Sequence, residues 1–121
     1  MLKFTKNHEW LLFENETVTV GVTDFAQSQL GDIVFVELPE IDSEHSVGDE
    51  GAVIESVKAA GEIDIPIAGT IIEVNEALSD DPEIINRDPM GEGWFFKMRV
   101  ENESESAELM TETEYQALIA E

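Results

Sequence analysis

The feature that most constrains the fold of this chain is a series of short β-prone runs separated by turn-forming residues. The clearest run is "TVTVGV" at residues 17–22, where valine occupies every second position. This alternation is typical of a strand with one buried face. Further strands are predicted at residues 9–13, 33–38, 52–57, 62–67, 70–75 and 94–100. Strands this short, spaced by turns, favour a mainly β fold, a sandwich or a flattened barrel.

Helical segments are predicted around these strands and at the end of the chain. In "TDFAQSQLGD", Thr23 or Asp24 can cap a helix of about two turns that ends at Gly31. Residues 79–86 predict a short helical turn, and a C-terminal helical segment is expected at about residues 104–120. In that last segment "TETE" forms a capping-box pattern before an apolar stripe.

Charge and length limit the partners and the organisation of the chain. The 121 residues fit one domain, 1–121, and 42% are apolar, enough for a core. The net charge is −22, from 28 acidic and 6 basic residues. Such a surface repels phosphate backbones and anionic lipids, so no nucleic acid and no membrane is expected as a partner, and proteins with basic patches are favoured.

Other features of composition bear on compartment and chemistry. The chain has no cysteine, which excludes disulfides, zinc–thiolate sites and thiol nucleophiles. The start "MLKFTKNHEW" has no apolar run typical of a signal peptide, and no segment approaches the length of a membrane span. The expected location is the cytoplasm of a bacterium or archaeon, and a mitochondrial matrix remains an alternative.

The usual signatures of an enzyme are missing. His8 and Glu9 resemble the start of the zinc motif H-E-x-x-H, but Leu12 stands where the second histidine is needed. The acidic runs lack the order of ligands found in a calcium loop, and carboxylates are too abundant for any pair to indicate acid–base catalysis. We therefore predict no catalytic residue and no metal site.

Lys58 is the residue with the most specific setting. It lies between two β-prone runs, with carboxylates nearby in sequence and no other cation within 25 residues on either side. Those carboxylates stabilise the ammonium, which argues against a Schiff-base nucleophile. Two interpretations remain, a surface lysine that protects a sheet edge and a lysine displayed at a hairpin tip for modification. The small residues "AAG" that follow leave the backbone open to a modifying enzyme.

A longer pattern surrounds this lysine. "GAVIESVKAAGEIDIPIAGTIIEVNEAL" resembles the lipoylated segment of the glycine cleavage system H protein family, and further blocks of that family occur in the same order. These blocks are "KNHEW", "VGVTDFAQSQLGDIVFVELPE", "DPEIINRDP" and "GEGWFFKM". The resemblance spans about residues 3–100, and E-S-V-K-A combined with T-D-x-A-Q-x-x-L-G-D makes it specific.

The resemblance implies a fold, a cofactor and a site. The fold is a barrel-sandwich hybrid of two antiparallel sheets with short peripheral helices and a C-terminal helix. The hairpin at about residues 52–67 bears the modified lysine. By resemblance Lys58 carries lipoic acid in amide linkage, within a recognition context of Glu55, Ser56, Val57 and Ala59. The redox sulfurs then belong to the cofactor.

The resemblance also implies a shuttle between enzymes. Glycine decarboxylase (P protein) loads an aminomethyl group, aminomethyltransferase (T protein) passes its carbon to tetrahydrofolate, and dihydrolipoamide dehydrogenase (L protein) restores the disulfide. A lipoate ligase or a lipoyl/octanoyl transferase would attach the arm. The loaded amine is cationic, and in the family the glutamate of the HEW block, here Glu9, stabilises it near the parked arm. From chain position alone, Glu9 is equally an ordinary exposed residue beside a core Trp10.

Several alternatives share parts of this pattern. Lipoyl domains of 2-oxoacid dehydrogenases typically read D-K-A and belong to larger chains, and biotin carriers read M-K-M, which Val57 and Ala59 do not fit. A third alternative is an H-like relay protein that donates lipoyl groups to other enzymes. The last is an acidic binding module in which Lys58 stays unmodified.

Overall fold

The computed structural model describes residues 2–100 and 109–120. Within these ranges the chain forms nine strands and four helices. The strands are β1 (Leu2–Phe4), β2 (Glu9–Glu14), β3 (Thr17–Val22), β4 (Ile33–Glu37), β5 (Glu44–His45), β6 (Glu50–Ser56), β7 (Ala60–Asp64), β8 (Gly69–Val74) and β9 (Phe96–Arg99). The helices are α1 (Asp24–Leu30), α2 (Ala77–Asp80), α3 (Ile84–Arg87) and α4 (Glu112–Ile119).

The strands form two antiparallel sheets. One sheet has six strands in the order β1-β2-β3-β9-β8-β5, and the other has three in the order β4-β6-β7. The short helices lie at the ends of strands, and α4 follows the last strand. The predicted mainly β fold with two antiparallel sheets, peripheral helices and a C-terminal helix is confirmed.

Buried apolar side chains form two clusters. The larger cluster draws on strands of both sheets and on α2 and α3. Its fully buried members include Leu11, Val18, Val20, Ile33, Ile71, Leu78, Ile85, Phe95, Phe96 and Met98. The smaller cluster joins Phe4 and Trp10 to Tyr115 of α4, and the rings of Phe4 and Tyr115 stack at 4.6 Å. The C-terminal helix is therefore attached through an aromatic core of its own.

β3 differs from the strand that its alternation predicts. Its valines are buried as expected, but Thr19 and Gly21 of the other face are buried too. β3 lies between β2 and β9, and Trp10 of β2 pairs with Gly21. A Cβ atom on Gly21 would stand 2.7 Å from the Trp10 ring, so the indole covers this face of the strand.

Several predicted boundaries move. The strand predicted at 62–67 ends at Asp64, so Pro66 lies beyond it rather than at an edge or bulge within it. The strand predicted at 94–100 shortens to β9, the helical turn predicted at 79–86 becomes α2 and α3, and the very short β1 and β5 escaped prediction. The predicted capping box of α4 is confirmed, whereas residues 104–108 of the predicted helical segment lie outside the described residues. No helix in the described ranges combines the length and apolarity needed to cross a bilayer.

Candidate functional site

Lys58 lies at the apex of the β6–β7 hairpin. Glu55 pairs with Ala60, and Ser56 donates its N–H to the carbonyl of Ala59 at 2.8 Å. Val57 and Lys58 are left as a two-residue loop, and both are exposed. Residues 56–59 are called the lysine turn below. Among the residues that the structure describes, the Lys58 ammonium forms no salt bridge.

The hydroxyl of Ser56 holds the lysine turn together. Two-residue hairpin loops usually need positive φ angles, yet neither Val57 nor Lys58 has one. The Ser56 Oγ accepts hydrogen bonds from the N–H groups of Lys58 at 3.2 Å and of Ala59 at 3.1 Å. It also donates to the carbonyl of Ala59 at 3.1 Å. Ser56 therefore has a structural role beside the recognition role predicted for it.

The lysine turn rests on the segment that follows α1. Val57 donates its N–H to the carbonyl of Asp32 at 3.0 Å. Beside that bond, Gly31 has φ 80° and ψ −157°, a conformation that is essentially restricted to glycine. A Cβ atom at Gly31 would stand 3.3 Å from Cε of Lys58. The stem of Lys58 therefore lies across a glycine that could hardly be another residue.

Asn86 fixes this supporting segment from the other side. Its amide donates to the carbonyl of Gly31 at 2.8 Å and to Oε1 of Gln27 at 3.0 Å. Its Oδ1 accepts the N–H of Ile33 at 2.9 Å. One side chain of α3 thus holds the end of α1 and the start of β4. This arrangement gives the block "DPEIINRDP" a structural purpose that its sequence did not reveal.

A cleft of about 440 Å³ opens between α1 and β7. Three of its lining residues are Leu30, next to Gly31 under the lysine stem, Gly61, close after the lysine turn, and Glu9. Its wall is largely apolar, with polar groups at Asn7, His8, Gln29 and Glu62. The complete lining is Asn7, His8, Glu9, Val22, Phe25, Ala26, Gln29, Leu30, Ile54, Gly61, Glu62 and Ile63.

Glu9 is a buried residue that lines this cleft and also a second cavity of about 290 Å³, which Thr5 and Asp64 line as well. It is only 3% exposed, and Thr5 Oγ1 donates to its Oε1 at 2.9 Å. Burial raises the pKa of Glu9 from 4.5 to about 7, the Thr5 hydrogen bond opposes that rise, and the charge of Asp64 adds to it. The interpretation of Glu9 as an ordinary exposed residue is wrong, because Glu9 begins β2 and shares the strand face of Leu11 and Phe13, which lie in the larger core. Its neighbour Trp10 lies in the core as predicted.

Tyr115 of α4 joins His8, the residue before Glu9, to Thr23 at the start of α1. Its hydroxyl lies 2.9 Å from Nδ1 of His8 and 2.7 Å from Oγ1 of Thr23. Thr23 in turn caps α1 by accepting the N–H of Ala26. Burial raises the pKa of the Tyr115 phenol, so it remains protonated and able to donate. Tyr115 is the first residue of the apolar stripe that follows "TETE", and the only sign of a second role in the sequence is its phenol oxygen.

The structure places the predicted site residues in two groups. Glu55, Ser56, Val57, Lys58 and Ala59 lie together at the hairpin apex, and all except the half-buried Ser56 are exposed. Glu9 lies apart from them, in the wall of the cleft. The described residues contain no group of three or more His, Cys, Asp or Glu side chains that could hold a metal ion.

Comparison with known proteins identifies the family. The chain matches the sequence model described as "Glycine cleavage H-protein" over residues 2–121. The H protein of Psychrobacter cryohalolentis is 53% identical over 116 residues, 95% of this chain and 92% of that one. The H protein of Thermotoga maritima is 51% identical over 120 residues, 99% of this chain and 97% of that one.

A solved structure agrees with these relatives. The crystal structure of the glycine cleavage system H protein of Mycobacterium marinum superposes with a TM-score of 0.89 at 35% identity. The superposition covers 99% of this chain and 97% of the Mycobacterium marinum chain. Sequence and fold thus lead to one conclusion, that this chain belongs to the glycine cleavage system H protein family.

Proposed function

We propose that this chain is the lipoyl carrier of a glycine cleavage system. It shuttles the aminomethyl group of glycine from the P protein to the T protein. The L protein then reoxidises the reduced lipoyl group. Lipoic acid is attached as an amide to Lys58 by a lipoate ligase or a lipoyl/octanoyl transferase. The chain is a carrier component without catalysis of its own, and residues 1–121 act as one lipoyl-carrier domain.

One observation carries this proposal: an exposed lysine at the apex of a braced turn, with a cleft beside its base. Exposure lets another enzyme reach the amine, and the hydrogen bonds of Ser56 and Asp32 hold the backbone of the turn that bears it. The small residues Ala59 and Gly61 leave space around it, and a Cβ atom on Gly61 would meet nothing within 4 Å. This setting suits the attachment of a long acyl arm.

The cleft suits such an arm along its length. Apolar side chains such as Phe25, Leu30 and Ile54 would contact the hydrocarbon part of the arm, and Glu9 would face the charged end. When bound, lipoic acid supplies a dithiolane that accepts the aminomethyl group and two electrons. The chain itself supplies a tether, a hydrocarbon surface and a carboxyl group.

Glu9 would recognise the charge of the cargo. With a pKa of about 7, its carboxyl group is about half ionised at neutral pH. A cationic amine beside it favours the ionised form, so docking of the amine releases a proton from Glu9 to solvent. Because an arm without cargo carries no such charge, the carboxylate distinguishes a loaded arm from an empty one.

The alternatives make different demands. A relay protein would also need an exposed lysine, but it would not need a carboxyl group that recognises an amine. Membership of the H protein family does not favour a lipoyl domain of another complex. The relatives compared above come from bacteria, so we place the carrier in the cytoplasm.

Reconstitution tests the proposal. The lipoylated chain is mixed with P, T and L proteins, glycine, tetrahydrofolate and NAD, and formation of NADH is followed. Glycine-dependent NADH should appear with this chain and be absent with Lys58→Arg. Glu9→Gln should retain lipoylation but slow the overall rate. Full lipoylation of the chain without any NADH would reject the shuttle and favour the relay.

A further inference from the structure

A bulge in β4 turns two neighbouring apolar side chains to the outside. The register with β6 shifts between Ile33 and Phe35, and Ile33 and Val36 both point into the core. Simple alternation would bury Phe35 with Ile33 and expose Val36. Instead Val34 is 54% exposed and Phe35 45% exposed, side by side on the outer face.

This pair lies beside the lysine turn. Phe35 pairs with Glu55 across the sheet, and the carbonyl of Asp32 accepts the N–H of Val57. Val57 is itself 66% exposed. Val34, Phe35 and Val57 are called the apolar patch below. They are three of the seven large apolar side chains that are exposed in the described part of the chain, and they flank a single lysine.

The other side of the lysine turn has no comparable surface. Ala59, Ala60 and Gly61 follow Lys58, and such small side chains offer little area to a partner. A protein that binds around Lys58 therefore obtains most of its apolar contact from the β4 side. An exposed patch of this kind is expected to be an interaction site rather than a solvated surface.

We propose that the apolar patch is the docking surface for the enzyme that attaches the lipoyl group to Lys58. This inference rests on the proposed function. Attachment requires Nζ itself to attack the carbonyl carbon of an activated lipoyl group such as lipoyl adenylate. The N–C bond forms, the C–O bond to phosphate breaks, AMP leaves with the electron pair, and Nζ loses a proton to solvent. The attaching enzyme must therefore cover the residues around Lys58.

The enzymes that use the finished arm have a different requirement. They act at the far end of a long chain, so they can bind at a distance from the lysine turn. Reach therefore assigns the apolar patch to the attaching enzyme. The charge of the rim supports a protein partner, since Asp32, Glu37 and Glu55 are exposed around the patch. The matching surface is an apolar depression bordered by lysine and arginine.

Lipoylation kinetics test this assignment. Purified chain is incubated with a lipoate ligase, ATP and lipoate, and initial rates are measured by intact mass across a range of chain concentrations. Phe35→Thr should lower kcat/KM about tenfold and Val34→Thr about threefold, mainly through a higher KM, as truncated interface anchors do. Both residues are exposed, and urea unfolding checks that each variant is folded.

A matched control is available at the other end of the hairpin. Val47 is 61% exposed and precedes β6, whose seven residues place it roughly 20 Å from the lysine turn. Val47→Thr makes the same chemical change as Val34→Thr and should leave kcat/KM unchanged.

The possible results separate the patch from the proposed function. Wild-type rates in the Val34→Thr, Phe35→Thr double variant would overturn the docking surface while Lys58 lipoylation stands. A second result would also overturn it. If wild type sediments as a dimer and the double variant as a monomer with no change in lipoylation, the patch joins two copies of the chain instead. A wild-type chain that is never lipoylated would overturn the proposed function as well.

Discussion

The lysine turn exposes its functional side chain, whereas the wall of the cleft buries its own. Lys58 extends from a two-residue loop held by one serine hydroxyl and one carbonyl of a neighbouring segment. Glu9 is 3% exposed and is held by Thr5 within a wall that Tyr115 fastens to α1. The two groups serve the same proposed arm, one as its anchor and one as the receptor for its cargo.

The difference shows how one small fold meets two opposed requirements. An attachment point must be open to other proteins, so it contributes little burial and is stabilised by local hydrogen bonds. A receptor for a charged amine works best where water is excluded, because attraction between charges is stronger there. Burial of a carboxyl group lowers stability, and the burial of the two apolar clusters offsets that loss. Substitutions at the two places should therefore change the free energy of unfolding in different directions and by different amounts.

The largest effect is expected at Glu9 and depends on pH. Its raised pKa means that the folded chain holds this proton at pH values where the unfolded chain has lost it, so stability falls as pH rises from about 4.5 to about 7. Glu9→Gln removes this loss and should raise the free energy of unfolding at pH 8 by on the order of 3 kcal/mol relative to wild type. At pH 4 the two proteins should be close. Urea unfolding at both pH values measures it.

The exposed turn offers the matched control for this prediction. Glu55→Gln neutralises a carboxylate beside Lys58 that is exposed to solvent. It should leave the free energy of unfolding at pH 8 close to that of wild type. If Glu9→Gln also leaves the free energy of unfolding at pH 8 unchanged, Glu9 is not a buried group of raised pKa, and the contrast between the exposed turn and the buried carboxyl group fails.

Gly31→Ala should have the next largest effect. The φ of 80° and ψ of −157° are strained for any residue with a Cβ, and that atom would crowd the stem of Lys58. A loss of about 2 kcal/mol in the free energy of unfolding is expected. Gly61→Ala, where a Cβ meets nothing and φ is not positive, is the control and should be near neutral. Equal effects of the two substitutions would show that the segment beneath the lysine is not constrained.

Tyr115→Phe tests the attachment of the Glu9 wall. It keeps the ring stacked on Phe4 but removes the hydroxyl that lies between His8 and Thr23. We expect a loss of about 1.5 kcal/mol, because partly buried polar groups lose a hydrogen-bond partner. Urea unfolding measures it, and Leu118→Ala on the exposed side of α4 serves as a control. An unchanged stability would mean that stacking alone fastens the helix.

Ser56→Ala should have the smallest effect on stability and a clear effect on modification. The turn is exposed, so water replaces the lost hydrogen bonds and the cost should be about 0.5 kcal/mol. The rate of lipoylation should nevertheless fall, because Lys58 is no longer held in one geometry. Ser56→Thr keeps the hydroxyl and should preserve much of the rate. A Ser56→Ala chain that is modified at the wild-type rate would remove the proposed role of this hydroxyl.

The sequence predicted those parts of the molecule that local pattern determines. Alternation located β3, short β-prone runs located β2 and most of β6, and turn residues located the hairpin that presents Lys58. The capping box of α4 was legible because it depends on residues three apart. The lysine turn is likewise made by neighbouring residues, which is why its position could be predicted.

The parts that escaped prediction depend on contacts between distant segments. The hydroxyl of Tyr115 contacts His8, the residue before Glu9, across 107 positions of the chain. Asn86 braces the segment after α1 across 53 to 59 positions, and the β4 bulge reverses which side chains face outward. Local patterns carry no signal for such contacts. Only the assembled sheets bring these groups together.

The most direct test of this account is the mass of the chain after modification. Wild type and Lys58→Arg are incubated with lipoate ligase, ATP and lipoate. The intact mass of each chain is measured, and peptide mapping then locates the modified residue. Wild type should gain one lipoyl group, located on Lys58, and Lys58→Arg should gain none. A wild-type chain that stays unmodified, or a Lys58→Arg chain that is modified all the same, would contradict it.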